Sequence, residues 1–152
     1  MTVFQGANVN APDAHTPTDI VFFDGVCGFC AASVQWVLDH DSAGAFHFAP
    51  LQGEVAAAAR AAHPDFPEDI DTAVYLRRAP DGSEQIWLRS SAVLRICGRL
   101  GWPWRLAAIG LMVPAILRDP LYRAFASIRY RVFGKVEACR IPDPEQAARL
   151  LS

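Results

Sequence analysis

Ile20–His40 reads IVFFDGVCGFCAASVQWVLDH. Ile20 to Asp24 is a short, continuous apolar run rich in β-formers, which suits a strand buried on both faces, and Gly25 breaks it. From Gly28 the period turns helical. Ala31, Val34, Val37 and Leu38 fall near one face until Asp39-His40-Asp41-Ser42 and Gly44 end the pattern. A strand, a tight loop and a helix follow one another, and the loop carries two cysteines.

Further along, Phe46 to Ala49 predicts a second short strand, and Gln52 to His63 an Ala-rich helix stopped by Pro64. Ala73 to Arg77 and Gln85 to Arg89 are two β-rich runs. The Ala79-Pro80-Asp81-Gly82-Ser83 connection between them signals a hairpin, hence an antiparallel second half of the sheet. Ser90 and Ser91 offer N-cap hydroxyls for a helix with Val93, Ile96, Cys97 and Leu100 at i, i+3, i+4 and i+7, a face expected to pack on the sheet. The resulting β-α-β-α-β-β-α order is that of an α/β thioredoxin-like fold with a mixed sheet. A helical extension, about 104–133, follows the Trp102-Pro103-Trp104 break. Its Leu121, Phe125, Ile128 and Val132 recur at i, i+4, i+7 and i+11, predicting a buried stripe, with Arg123, Ser127 and Arg131 on another face.

The chain has 152 residues, a length that argues for one domain, expected over 19–152 after a flexible leader at 1–18. Hydrophobic residues make up 52% and charged residues 20%, a foldable composition that needs no disulfide staples. The net charge of −2 is unevenly spread, with 6 basic and 12 acidic groups in 1–99 against 8 and 4 in 100–152. The basic residues are almost all Arg, spaced among apolar positions, which argues for solvated helix faces and against a nucleic-acid surface. The most apolar stretch, Leu106 to Leu117, has 12 residues and contains Gly110 and Pro114, whereas a spanning helix needs about 20. Burial or a membrane-surface contact stays open for it. The N-terminus lacks the basic start and apolar core of an export signal, which implies a cytoplasmic setting where a close cysteine pair serves catalysis or metal binding.

Cys27 and Cys30, three apart in a first helical turn, place their Cβ atoms about 5–6 Å apart, close to what a disulfide accepts. At the helix start, unpaired N–H groups and the positive dipole end favour a Cys27 thiolate as the attacking group. Cys30, one turn inside, is expected to be more shielded and to resolve the mixed disulfide. Asp24 is the candidate proton acceptor for Cys30. A structural zinc site would need two further ligands at matching spacing, and neither Cys97, Cys139 nor the isolated His40 and His47 supplies it. Gly on both sides of an exposed strand-to-helix loop disfavours a pair of inert buried thiols. No metal or cofactor is expected. The rival from another class is a module that binds zinc or a partner through the cysteines without redox turnover.

The segment FFDGVCGFCAASVQWVLDHD resembles the DCC family of thiol-disulfide oxidoreductases, named for an Asp followed by two cysteines, here Asp24, Cys27 and Cys30. FAPLQ at Phe48 to Gln52, RSSAVLR at Arg89 to Arg95, VPAILRDPLY at Val113 to Tyr122 and ASIRYRVFGKVEAC at Ala126 to Cys139 are similar to that family's later blocks. The resemblance covers about 20–142 and implies a thioredoxin-like fold and disulfide substrates, either proteins or a small thiol such as glutathione. It also adds a redox role for Cys139, which on its own reads as a buried small hydrophobe, and an accessory role for Arg129 and Tyr130, which on their own read as a solvated helix face with Tyr130 partly packed. Thioredoxins place a cis-proline before the strand facing the cysteines. Here Thr72 occupies that spot, which puts peptide docking through that backbone in doubt. Gly28, Phe29, Thr72, Ser90 and Ser91 form the expected substrate-facing set, with the N–H groups of the Ser90-Ser91 helix start able to hold a carboxylate such as glutathione's. Cys97, on an apolar stripe, reads as core.

Overall fold

In the computed structural model, which describes residues 18–69, 72–135 and 144–151, β1 (Asp19–Phe23) is buried at every position. It lies inside a four-stranded sheet of order β2-β1-β3-β4. β2 (Phe46–Pro50) runs parallel to it, whereas β3 (Val74–Arg78) and β4 (Glu84–Leu88) are antiparallel. The alternation of a strand then divides the apolar run between two cores. Val21 and Phe23 meet Val34, Val37 and Leu38 of α1 (Gly28–His40) and Ala92 and Ile96 of α3 (Arg89–Arg99). Ile20 and Phe22 point the other way, to Ala56 of α2 (Glu54–Ala62), Leu51 and Phe66.

The fold is thus the thioredoxin-like α/β arrangement expected, with a helical C-terminal addition. The hairpin turn is built as its sequence dictates: Gly82 takes φ +85°, and Asp81 accepts the Ser83 N–H at 2.9 Å. Beyond α3 come a 3-10 helix (Trp104–Met112) and α4 (Ala115–Phe133). Gly98 and Gly110 let the 3-10 helix lie close on α3, since a Cβ on either would stand 3.0 to 3.1 Å from Ala108 or Leu94. Residues 148–151 run along the outer edge of β2, where the Leu151 N–H donates to the Phe48 carbonyl (2.7 Å) and Arg149 pairs with Asp41. A short helix, α5 (Pro144–Ala147), leads into them.

Four local expectations are corrected. Gln52 is not helical: the Gly53 N–H closes a turn onto the Pro50 carbonyl, and α2 starts at Glu54. Ser90 and Ser91 are not caps, because α3 begins at Arg89 with Leu88 as N-cap and no side-chain capping bond. On α3 the sheet-facing residues are Ala92, Ile96 and Leu100, leaving Val93 exposed and Cys97 half-buried. Most consequentially, Leu121, Ile128 and Val132 of α4 face outward, and only Phe125 of the expected stripe is partly covered. The inward face is Tyr122, Ala126 and Arg129, turned by about one residue from the apolar stripe, because Arg129 is drawn to a buried carboxylate. Cys139 and the expected leader lie outside the described residues, apart from Thr18, whose carbonyl accepts the Arg78 N–H.

Candidate active site

Cys27 is the N-cap of α1. Its backbone is extended where the helix begins, and its Sγ accepts the first-turn N–H of Cys30 at 3.3 Å. A sulfur in that position meets the positive end of the helix. Cys27 is nonetheless wholly buried, at 0% exposure. The chain after α4 lies against it as a strap: Cys27 and Lys135 form an antiparallel bridge, and the Gly28 N–H donates to the Gly134 carbonyl at 3.2 Å. Glycine at 28 is required by that approach, since a Cβ there would stand 2.8 Å from the Phe133 carbonyl oxygen.

Cys30 is the less covered thiol of the two, reversing the expected order of shielding. It opens on a cavity of about 420 Å³ enclosed by α1, α3, α4 and the floor of β1. The walls are mostly apolar, with Phe29 and Trp36 from α1, Ile96 and Cys97 from α3, and Tyr122 and Phe125 from α4. Burial pushes the Cys30 thiol up to about 12, helped by its hydrogen bond to Cys27 and opposed by the Arg129 charge.

That charge sits in the cavity wall. Arg129 is 4% exposed, and its Nη2 donates to Asp24 Oδ2 at 3.1 Å. Asp24 is fixed on its other oxygen by the Val26 N–H (3.1 Å) and by Gln52 Nε2 (2.9 Å). The solvated-face reading of Arg129 is therefore overturned: desolvating a guanidinium requires the paired carboxylate that Asp24, just after β1, supplies. Tyr130 stacks under the same guanidinium at 4.9 Å and under Lys135 at 5.0 Å.

Among the expected substrate-facing residues, Phe29 and Thr72 line the cavity beside Cys30. Phe29 is held edge-on by Phe125, with centroids 4.7 Å apart. Ser90 and Ser91 are engaged elsewhere: the Ser90 hydroxyl donates to Asp119, and Arg118 donates to both hydroxyls, so α4 covers the start of α3. Two site residues escaped the sequence reading. Tyr122 accepts the Ala73 N–H at 2.8 Å just after Thr72, and Gln52 bridges Asp24 and the Gly25 N–H. Tyr122, Phe125, Ala126 and Arg129 stand at i, i+3, i+4 and i+7, and that spacing was the available signal.

A C-x-x-C pair capping the first helix of a thioredoxin-like sheet defines the thiol-disulfide class of site. The chain matches the DCC1-like thiol-disulfide oxidoreductase family over residues 21–135, and it belongs to that family. It is similar to "Uncharacterized protein YuxK" of Bacillus subtilis (strain 168), 32% identical over 135 residues that cover 89% of this chain and 95% of that protein. It is also similar to "DCC family protein At1g52590, chloroplastic" of Arabidopsis thaliana, 32% identical over 123 residues that cover 80% and 69%. No solved structure shows significant similarity to the chain. Among the described residues, no helix is long and apolar enough to cross a membrane, and no group of three or more His, Cys, Asp or Glu is placed to hold a metal ion.

Proposed function

We propose that the protein is a disulfide reductase that cycles Cys27 and Cys30 between dithiol and disulfide through a mixed disulfide. The observation that carries this reading is the Cys27 sulfur at the α1 N-cap, one turn from a second thiol that can displace whatever it binds. The Cys27 thiolate attacks one sulfur of a substrate disulfide. That S–S bond breaks, a Cys27–substrate bond forms, and the other substrate sulfur leaves and takes a proton. Cys30, losing its proton toward Asp24, then attacks the Cys27 sulfur. The second substrate thiol departs, and the Cys27–Cys30 disulfide holds the two electrons' worth of oxidation. A thiol reductant closes the cycle.

One feature of the site supports this division of labour, and a second sets a condition on it. Arg129 lowers the proton affinity of Cys30 and so favours the thiolate needed for the second step, while Asp24 holds Arg129 in place. Access to Cys27 requires the Gly134–Lys135 strap to swing off the Gly28 N–H, whereas Cys30 is already reached from the cavity. The apolar walls suit a substrate that presents an aromatic or aliphatic group beside its disulfide.

Mass spectrometry after exposure to a disulfide substrate tests the roles. Cys30→Ser is expected to hold a mixed disulfide on Cys27, and Cys27→Ser to hold none. Equal trapping on both, or trapping on Cys30 alone, overturns the assignment and makes the cavity-facing thiol the nucleophile. Stoichiometric zinc bound through Cys27 and Cys30 in the reduced protein would favour the binding module and sink the redox reading.

A further inference from the structure

The 3-10 helix and α4 expose apolar side chains to a degree that no other part of the described chain matches. Met112 is 84% exposed, Ile116 80% and Leu121 75%, and Trp102, just before the 3-10 helix, is also 75% exposed. The pattern is ordered. In a 3-10 helix residues three apart stack on one edge, and Leu106, Ile109 and Met112 do so. In α4, Leu117, Leu121, Ile128 and Val132 share one flank, offset from the inward face of Tyr122 and Arg129. Met112, Val113 and Ile116 join the two ridges along the chain. Folded monomers rarely leave apolar patches beyond about 300–600 Å² bare without a binding partner.

The charge beside these ridges points to one kind of partner. The exposed cations on the two helices are Arg105, Arg123 and Arg131, and Lys135 follows directly. Between Gly101 and Lys135 the sole carboxylate is Asp119, which is bonded by the Ser90 hydroxyl. We propose that this flank docks on the surface of an anionic lipid bilayer, its apolar ridges entering the acyl boundary and its arginines meeting the headgroups. An amphipathic helix of this kind lies in the interface plane, gaining from both terms. A second copy of the chain fits worse, because a two-fold contact sets the same patch against itself and brings arginine to arginine. The carboxylates of the chain lie mostly outside this segment, so repulsion from the headgroups turns the rest of the molecule away.

Flotation of the full chain with vesicles of phosphatidylcholine, with and without about 30% phosphatidylglycerol, tests the proposal. Binding is expected to the anionic vesicles, weakened by salt and accompanied by a blue shift of Trp emission that Trp102→Phe removes. Arg105→Glu and Arg131→Glu should each weaken binding at least about fivefold. Ile116→Ser and Leu121→Ser should each weaken it about tenfold or more, with thermal midpoints unchanged, and Met112→Ser repeats the apolar arm at the most exposed position. Absence of binding overturns the proposal in favour of a protein partner, and equal binding to neutral vesicles overturns it in favour of apolar insertion without recognition of the headgroup charge. A dimer in light scattering that Ile116→Ser dissolves overturns it in favour of a second copy.

Discussion

β1 and α4 both carry clear apolar patterns, and they use them in opposite ways. In β1 every apolar residue is buried, and its run between α1 and α2 has nowhere else to go. In α4 the apolar stripe faces outward while an arginine goes in. A pattern reports which face of an element is apolar. Which face turns inward depends on what the rest of the fold offers, and beside α4 it offers the carboxylate of Asp24 at the end of β1. A buried charge without its partner is among the most expensive features a fold can carry, so one ion pair outweighs several exposed leucines.

Arg129→Met is expected to have the largest effect on the molecule. If the Asp24 pair sets the rotation of α4, removing the guanidinium leaves an uncompensated buried carboxylate and should cost about 3–5 kcal/mol in urea unfolding. Adding Asp24→Asn to the same protein should recover part of the loss, since the amide oxygen still accepts from Val26 and Gln52. A loss under about 0.5 kcal/mol, typical of a surface substitution, would return Arg129 to a solvated face.

Most of the frame was legible because local and long-range demands agree there. The doubly buried run at Ile20 to Phe23, the helix opening at the cysteines and the Pro-Asp-Gly hairpin each have one compatible partner. The sequence misled where a long-range contact overrode a local preference. Ser90 and Ser91 would cap α3 if solvent were the alternative, but Arg118 and Asp119 take their hydroxyls. Gln52 fits an Ala-rich helix by propensity and is instead spent on Asp24, 28 residues earlier. Cys27 looked accessible because the strap that covers it comes from the other end of α4, and nothing near residue 27 announces it. Only Gly28, where a side chain would strike the Phe133 carbonyl, carries a local trace of that contact.

A finer test sets two residues of the same stripe against each other. Read from the sequence, Phe125 and Leu121 share one buried face, and Phe125→Ala should cost the about 3–5 kcal/mol of a core truncation. In the structure Phe125 is half-buried and touches Phe29 edge-on, so about 2 kcal/mol is the expected loss. Leu121→Ala, at an exposed position, should stay within about 0.5 kcal/mol. Thermal unfolding of the two variants side by side would expose an error, because similar losses in both would place the stripe inside after all.

The smallest effect concerns the difference between the two active-site thiols. Burial raises Cys30 from 9.0 to about 12, so the folded state holds this proton more tightly than the unfolded chain does. Its contribution to stability is complete below pH 9 and declines as pH rises from 9 toward 12, with no change expected between pH 7 and 8. Kinetics are the more sensitive readout. In Cys27→Ala the hydrogen bond that helps raise Cys30 is gone, but burial, the larger cause, remains. Alkylation of Cys30 in that variant, followed peptide by peptide to separate it from Cys97, should therefore accelerate with a midpoint below 12 and still above 9. Removing Arg129 as well should move the midpoint upward again, because the one charge that favours the Cys30 thiolate would be lost. A midpoint at 9 or lower in Cys27→Ala would mean that Cys30 ionises as an exposed thiol does, and the apolar walls at Phe29 and Trp36 would then fail to desolvate it.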